Sequence, residues 1–179
     1  MNEAGKVLLI ANNFPPIRGG SAVVYDNLAR FSGGRLIPIA PQRSYLGGSP
    51  LAGWQEHDSK ASYRVLRLPL LRNVIWSGGK VPPWRRVALL FADLTIRARL
   101  AMVLLRQILG GGVAAICVGE LVASGWIVRL FGLIPGLRIF VYVHGEEITT
   151  QTPYDAGGER AAQHVAGGGW HRRGQPIYP

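Results

Sequence analysis

The chain has 179 residues, 48% of them hydrophobic, with 20 Lys+Arg against 10 Asp+Glu and a formal net charge of +10. That length suits one domain of roughly 100–200 residues, and the apolar content is enough for a packed core, which excludes a disordered or fibrous chain. The single cysteine, Cys117, excludes an intrachain disulfide framework, and the excess of positive charge favours an anionic partner such as a membrane surface, a nucleotide or a nucleic acid.

Residues 1–5 are polar and the apolar run after Lys6 has only a strand's length, so no secretory leader is expected and the chain is assigned to the cytoplasm. Residues 6–11 read as a buried strand and residues 21–31 as a helix with Ser21 as its N-cap. After the Gly33-Gly34 turn, residues 35–40 form a second strand. Residues 41–62 read as a polar connection, and residues 63–68 as an edge strand interrupted by Arg64 and Arg67. The segment 69–86 interleaves Trp76 and Trp84 with Arg72, Lys80, Arg85 and Arg86, which suits a membrane interface, a nucleic acid or a packed surface insertion.

A long helix is expected at about residues 85–109, with Leu90, Leu94, Ala98, Ala101, Leu105 and Ile108 marking its inner face. Asp93, Arg97 and Arg99 lie mid-helix, where a bilayer core would make each cost about 2.5–3.5 kcal/mol, so this is an amphipathic helix and not a span. Residues 114–118, 121–131 and 138–143 then read as strand, helix and strand. Cys117 sits in the first of these runs as a buried, inert thiol. Short apolar strands alternating with helices define an α/β, Rossmann-like domain, its mostly parallel sheet covered by helices on both faces. Ligands of such sheets sit beyond the carboxyl ends of the strands.

Three strand ends carry candidate chemistry. The run KVLLIANNFPPIRGG at residues 6–20 feeds a proline-stiffened loop and two glycines into a helix N-terminus, a geometry that suits a phosphate. Taken alone, Gly19-Gly20 is better read as an ordinary strand-to-helix turn. The loop lacks G-x-G-x-x-G spacing and no acid ends the second strand, which disfavours a dinucleotide-dependent dehydrogenase. His144 follows the last strand and precedes Gly145, Glu146 and Glu147; it is placed to donate to a sugar hydroxyl or a departing phosphate, or is a loop histidine beside solvated acids. Adjacent side chains diverge and no second histidine has ligand spacing, so no metal is expected. Glu120 ends the strand before it, as a contact for an acceptor hydroxyl or as a surface residue.

The strings FPPIRGG at residues 14–20 and VYVHGEEIT at residues 141–149 resemble the N-terminal half of a retaining glycosyltransferase of family 4, the GT-B group with two Rossmann-like domains. The resemblance implies a domain over residues 1–160 that moves a sugar from a nucleotide-sugar donor, a substrate and not a cofactor, to a glycan or lipid-linked acceptor. It implies Gly19 and Gly20 against the donor diphosphate and sugar, His144 as the catalytic contact to the transferred sugar, Glu147 supporting that loop on the donor side, and Arg18 towards the acceptor. Peripheral contact with an anionic membrane at the inner face is expected, and nucleic acid is not, because the charge is scattered without a recognition motif. The rival reading is a non-catalytic acceptor- or membrane-binding module that pairs with a separate catalytic domain.

Residues 161–179, AAQHVAGGGWHRRGQPIYP, have neither helical nor strand periodicity. Read one base forward in permissible codons they give RRSTLRAADGIVAVSQFT, which resembles the family's next helix and strand. The expectation is a frameshifted, disordered tail, an absent C-terminal donor-binding domain, and no turnover by this chain alone.

Overall fold

A computed structural model describes residues 5–75 and 82–142. Five apolar runs pair in parallel as β1 (Lys6–Ile10), β2 (Leu36–Pro41), β3 (Leu66–Leu68), β4 (Val113–Val118) and β5 (Arg138–Val141), in the spatial order β3-β2-β1-β4-β5. The helices are α1 (Gly20–Phe31), α2 (Trp54–Lys60), α3 (Pro83–Leu109) and α4 (Leu121–Phe131). These residues fall in one compact unit, Met1–His144; the expected division at residue 160 lies outside them.

Side chains alternate across a strand, so each strand feeds two cores. Leu8, Ile10, Ile39, Ile116 and Val118 pack on one face against Leu100 and Leu104 of α3 and Ile127 and Phe131 of α4. Leu9, Ala11 and Ala40 pack on the other against Tyr25 and Ala29 of α1, with Phe14 and Tyr63 closing the end. Each fully buried Leu, Ile or Phe contributes roughly 1.5–3 kcal/mol, so both layers are needed. The expected architecture, a parallel sheet covered by helices on both faces, is the one observed.

Three local expectations need correction. The first helix starts one residue earlier than Ser21, and its N-cap is Gly19, with no side-chain cap. The segment 41–62 contains α2, a helix with no buried residue and therefore no apolar stripe to reveal it. In α3 the fully buried residues are Leu100 and Leu104; of the expected inner face Ala101 and Ile108 pack beside them, whereas Leu90, Leu94 and Leu105 are 65%, 63% and 43% exposed and Ala98 is exposed as well. The helix bears two apolar stripes, and periodicity alone does not say which one meets the sheet.

From β1 the chain moves outward to β2 and β3, then α3 carries it back to β4 on the other side of β1. The reversal opens a crevice between the carboxyl ends of β1 and β4, the switch point of a doubly wound sheet. Gly119 sits at its floor: its amide donates to the Ile10 carbonyl at 2.9 Å, and Tyr25 Oη donates to its own carbonyl at 2.7 Å. A Cβ there would stand 2.6 Å from Tyr25 Oη and 2.8 Å from the Ile10 oxygen. Gly119→Ala is therefore expected to lower the urea-unfolding free energy by about 1–3 kcal/mol through overpacking; an unchanged denaturation midpoint would contradict this close approach.

Candidate functional site

The switch-point crevice is lined by polar groups from three strand ends. Asn12, immediately beyond Ala11 at the end of β1, is 1% exposed, and its Nδ2 donates to Glu120 Oε2 at 3.1 Å. The same Glu120 oxygen lies 3.6 Å from Arg72 Nη1, on the segment that follows β3. Arg72 in turn lies over the Tyr45 ring at 5.0 Å, a cation–π contact that fixes its plane. The donor role of Nδ2 sets the orientation of the amide and leaves Asn12 Oδ1 buried without a hydrogen-bond partner among the described residues. A buried amide oxygen with no donor is costly, and a bound donor group would relieve it.

Above this floor stands the N-terminus of α1. Its first-turn amides have no capping side chain, so the helix's positive end is open to an anion. Gly19 is extended at φ 164 and nothing lies within 4 Å of a Cβ built on Gly19 or Gly20. Neither strain nor crowding within the chain calls for glycine at these two positions, and the space in front of them is free for a group that must touch the backbone. The second turn of α1 is tied to the crevice by the Tyr25 hydrogen bond to Gly119 and by the Tyr25 ring, which meets Tyr142 edge-on at 5.7 Å between centroids.

The loop leading to Gly19 is held from behind by a charged latch. Arg67 Nε and Nη2 donate to the two Asp58 carboxylate oxygens at 2.9 and 2.7 Å, while Nη2 also donates to the Pro15 carbonyl at 2.6 Å and Nη1 to the Pro41 carbonyl at 3.0 Å. Its guanidinium lies over the Phe14 and Trp54 rings at 5.5 and 5.8 Å. His57 bridges the two acids, with Nδ1 3.0 Å from Asp58 and Nε2 3.4 Å from Asp26. Asp26 also accepts from Tyr63 Oη and from Arg30 at 3.0 Å. Burial opposes charge on both aspartates, but the hydrogen bonds from Tyr63 and Arg30 to Asp26, and from Arg67 and His57 to Asp58, outweigh it and hold both carboxyls below the ordinary carboxylate value. The Tyr63 hydroxyl is pushed up by burial and by the neighbouring Asp26 carboxylate, so it stays protonated as a donor.

Of the residues singled out from the sequence, Gly19 and Gly20 stand at the exposed entrance of α1 with Arg18 beside them, also exposed. Glu120 is 15% exposed and held by Asn12 and Arg72, an anchored crevice residue and not a freely solvated one. His144, Gly145, Glu146 and Glu147 lie outside the described residues, as do Trp76, Lys80 and residues 161–179. The strand before them, β5, ends at the same sheet edge, where the Tyr142 amide donates to the Val118 carbonyl at 2.8 Å. Asn12, Arg72, Asp58 and Arg67 were not legible as a group, because their partners are distant in sequence. Only the position of Asn12 directly after an apolar strand could have marked it.

Among the described residues no cluster of three or more His, Cys, Asp or Glu is placed to hold a metal ion, and no helix is long and apolar enough to cross a membrane. Burial pushes the Cys117 thiol up, away from reactivity. A doubly wound parallel sheet with an uncapped helix end over its switch point defines a Rossmann-like α/β domain, the fold type that holds nucleotides and cofactors in this crevice. Comparison with models of known families, with curated proteins and with solved structures finds no match to this chain.

The latch has a pH signature. Asp58 titrates below its ordinary value of 3.8, so the stability it adds is in place above that pH and is lost as the pH falls through the lower folded value. Asp58→Asn, which strands the Arg67 guanidinium, is expected to cost about 1–3 kcal/mol at neutral pH. In urea titrations repeated at descending pH, the gap to the parent chain should narrow below about pH 4; a gap independent of pH would remove the carboxylate from the account.

Proposed function

We propose that this chain is the N-terminal, acceptor-side domain of a retaining glycosyltransferase of family 4, which moves a sugar from a nucleotide-sugar donor to a glycan or lipid-linked acceptor. The observation that carries the reading is the open backbone at Gly19 and Gly20, set on an uncapped helix N-terminus above the switch-point crevice. The FPPIRGG string that suggested the family from sequence is the segment that builds this entrance.

In this reading the α1 amides receive the donor diphosphate and its sugar, and Gly19 and Gly20 let them approach without a Cβ in the way. Charge builds on the leaving diphosphate as the glycosidic bond to it breaks, and pre-aligned amides stabilise that charge without reorganising. His144 contacts the transferred sugar from the segment after β5, Glu147 supports it, and Arg18 faces the acceptor. Glu120 holds Asn12 and Arg72 in place, and the buried Asn12 Oδ1 is available to a sugar hydroxyl. A second Rossmann-like domain would close over the donor, and residues 1–160 alone would bind without turning over.

Uridine diphosphate titrated into the intact, isotope-labelled chain should shift the amide resonances of Gly19, Gly20, Ser21 and Gly119. Gly20→Val should weaken that binding about tenfold or more by blocking the approach. Its melting temperature should stay within a degree or two of the parent, since no atom of the chain stands within 4 Å of the added carbon. Shifts confined to other parts of the fold, or equal affinity in the variant, would defeat this assignment.

A further inference from the structure

Among the described residues, the outward stripe of α3 packs against neither the sheet nor the crevice. Trp84, Val87, Phe91, Leu94, Met102 and Leu109 recur at steps that keep them on one side of the helix, and they are 53–83% exposed. They form an apolar ribbon about 38 Å long. Its flank is basic: Arg99 lies three residues before Met102 and Arg106 four after it, and both are exposed, as is Arg86 in the first turns. The helix contains a single acid, Asp93, which is taken up by Arg97 at 2.6 Å. An exposed apolar ribbon of this size on one element marks an interaction surface.

The charges select among occupants. A second copy laid antiparallel along the ribbon would bring Arg106 of each beside the exposed Arg86 of the other, with no exposed acid on α3 to offset them. An anionic headgroup layer supplies the missing negative charge along the whole ribbon while the acyl boundary takes Trp84, Phe91 and Leu94. We infer that α3 seats this domain in the plane of an anionic lipid bilayer, its outward ribbon in the interface and Arg99 and Arg106 on the headgroups. The inference is independent of the glycosyltransferase reading, because it uses no residue of the crevice. It also has a geometric consequence: β3 ends at the carboxyl edge of the sheet and β4 begins at the amino edge, so α3 runs away from the crevice and its Trp84 end lies on the crevice side. A seated domain would hold that rim close to the lipid surface.

Flotation of the intact chain with phosphatidylcholine vesicles, and with vesicles of phosphatidylcholine and phosphatidylglycerol in equal parts, tests this. Binding is expected to the mixed vesicles only, weakening as salt rises. The double variant R99Q/R106Q should lose about 25-fold in affinity, roughly fivefold for each charge removed. The double variant F91S/L94S should lose at least tenfold, and both should keep the parent's circular dichroism and melting curve because the substituted side chains are exposed. Failure to float with the mixed vesicles, or flotation unchanged in both variants, would overturn the proposal. So would a dimer in sedimentation equilibrium that F91S/L94S dissolves while vesicle binding is absent, since the occupant would then be a second copy. Uridine diphosphate binding measured in parallel reports on the crevice alone.

Discussion

β1 must be hydrogen-bonded along both edges and buried on both faces, and the rest of the domain follows from that requirement. Its residues pair with β2 on one side and β4 on the other, both parallel. Parallel neighbours cannot be joined by a tight turn, so each needs a crossover, and right-handed crossovers that leave β1 in opposite directions put their helices on opposite faces. The two routes separate at the carboxyl end of β1, and neither crossover passes through the gap between them. A doubly wound sheet therefore carries its crevice as a by-product of its connectivity, and the chain has furnished that crevice with Asn12, Glu120 and Arg72.

The loop over the crevice has few apolar residues with which to anchor itself. Phe14 is buried, but Asn13 and residues 15–18 are not, so the loop depends on Arg67, whose side chain is 4% exposed and which donates to the Pro15 and Pro41 carbonyls while paired with Asp58. One guanidinium thus satisfies two backbone carbonyls and a carboxylate and lies over two aromatic rings, a combination that a lysine's single ammonium could not supply. α2 exists to complete this latch. It buries no residue of its own, and it delivers His57 and Asp58 to Asp26 and Arg67. The helix is held by electrostatics where its neighbours are held by packing.

The net charge of +10 acquires a direction in the folded domain. Arg67 and Arg97 are consumed internally by Asp58 and Asp93, and Arg72 by Glu120. Arg18 remains at the entrance of α1 and Arg99 and Arg106 remain along α3, next to the open helix terminus and the apolar ribbon respectively. Two separate basic regions come out of one excess of arginine: one at a single helix terminus, the other extended along a helix.

By itself the sequence determined that there are five strands, because strands in the middle of a covered parallel sheet must be short continuous apolar runs, and the glycine turns before β2, β4 and β5 mark their starts to within a residue or two. The edge strand β3, which no glycine precedes, begins three residues later than its pattern suggests. It also determined the position of the Gly19-Gly20 entrance and the strand ends that face the same edge. Only the tertiary structure decided which stripe of α3 faces inward, since Leu100/Leu104 and Leu90/Leu94 satisfy the same periodicity and the choice depends on how the helix lies on β1 and β4. It alone turned Arg67 from an interruption in an edge strand into the keystone of the loop, and drew Asn12 to Glu120 across 108 residues. Local sequence encodes period and breakage, which each segment carries within itself; a contact between distant polar groups has no local signature and exists only after the sheet has chosen its neighbours.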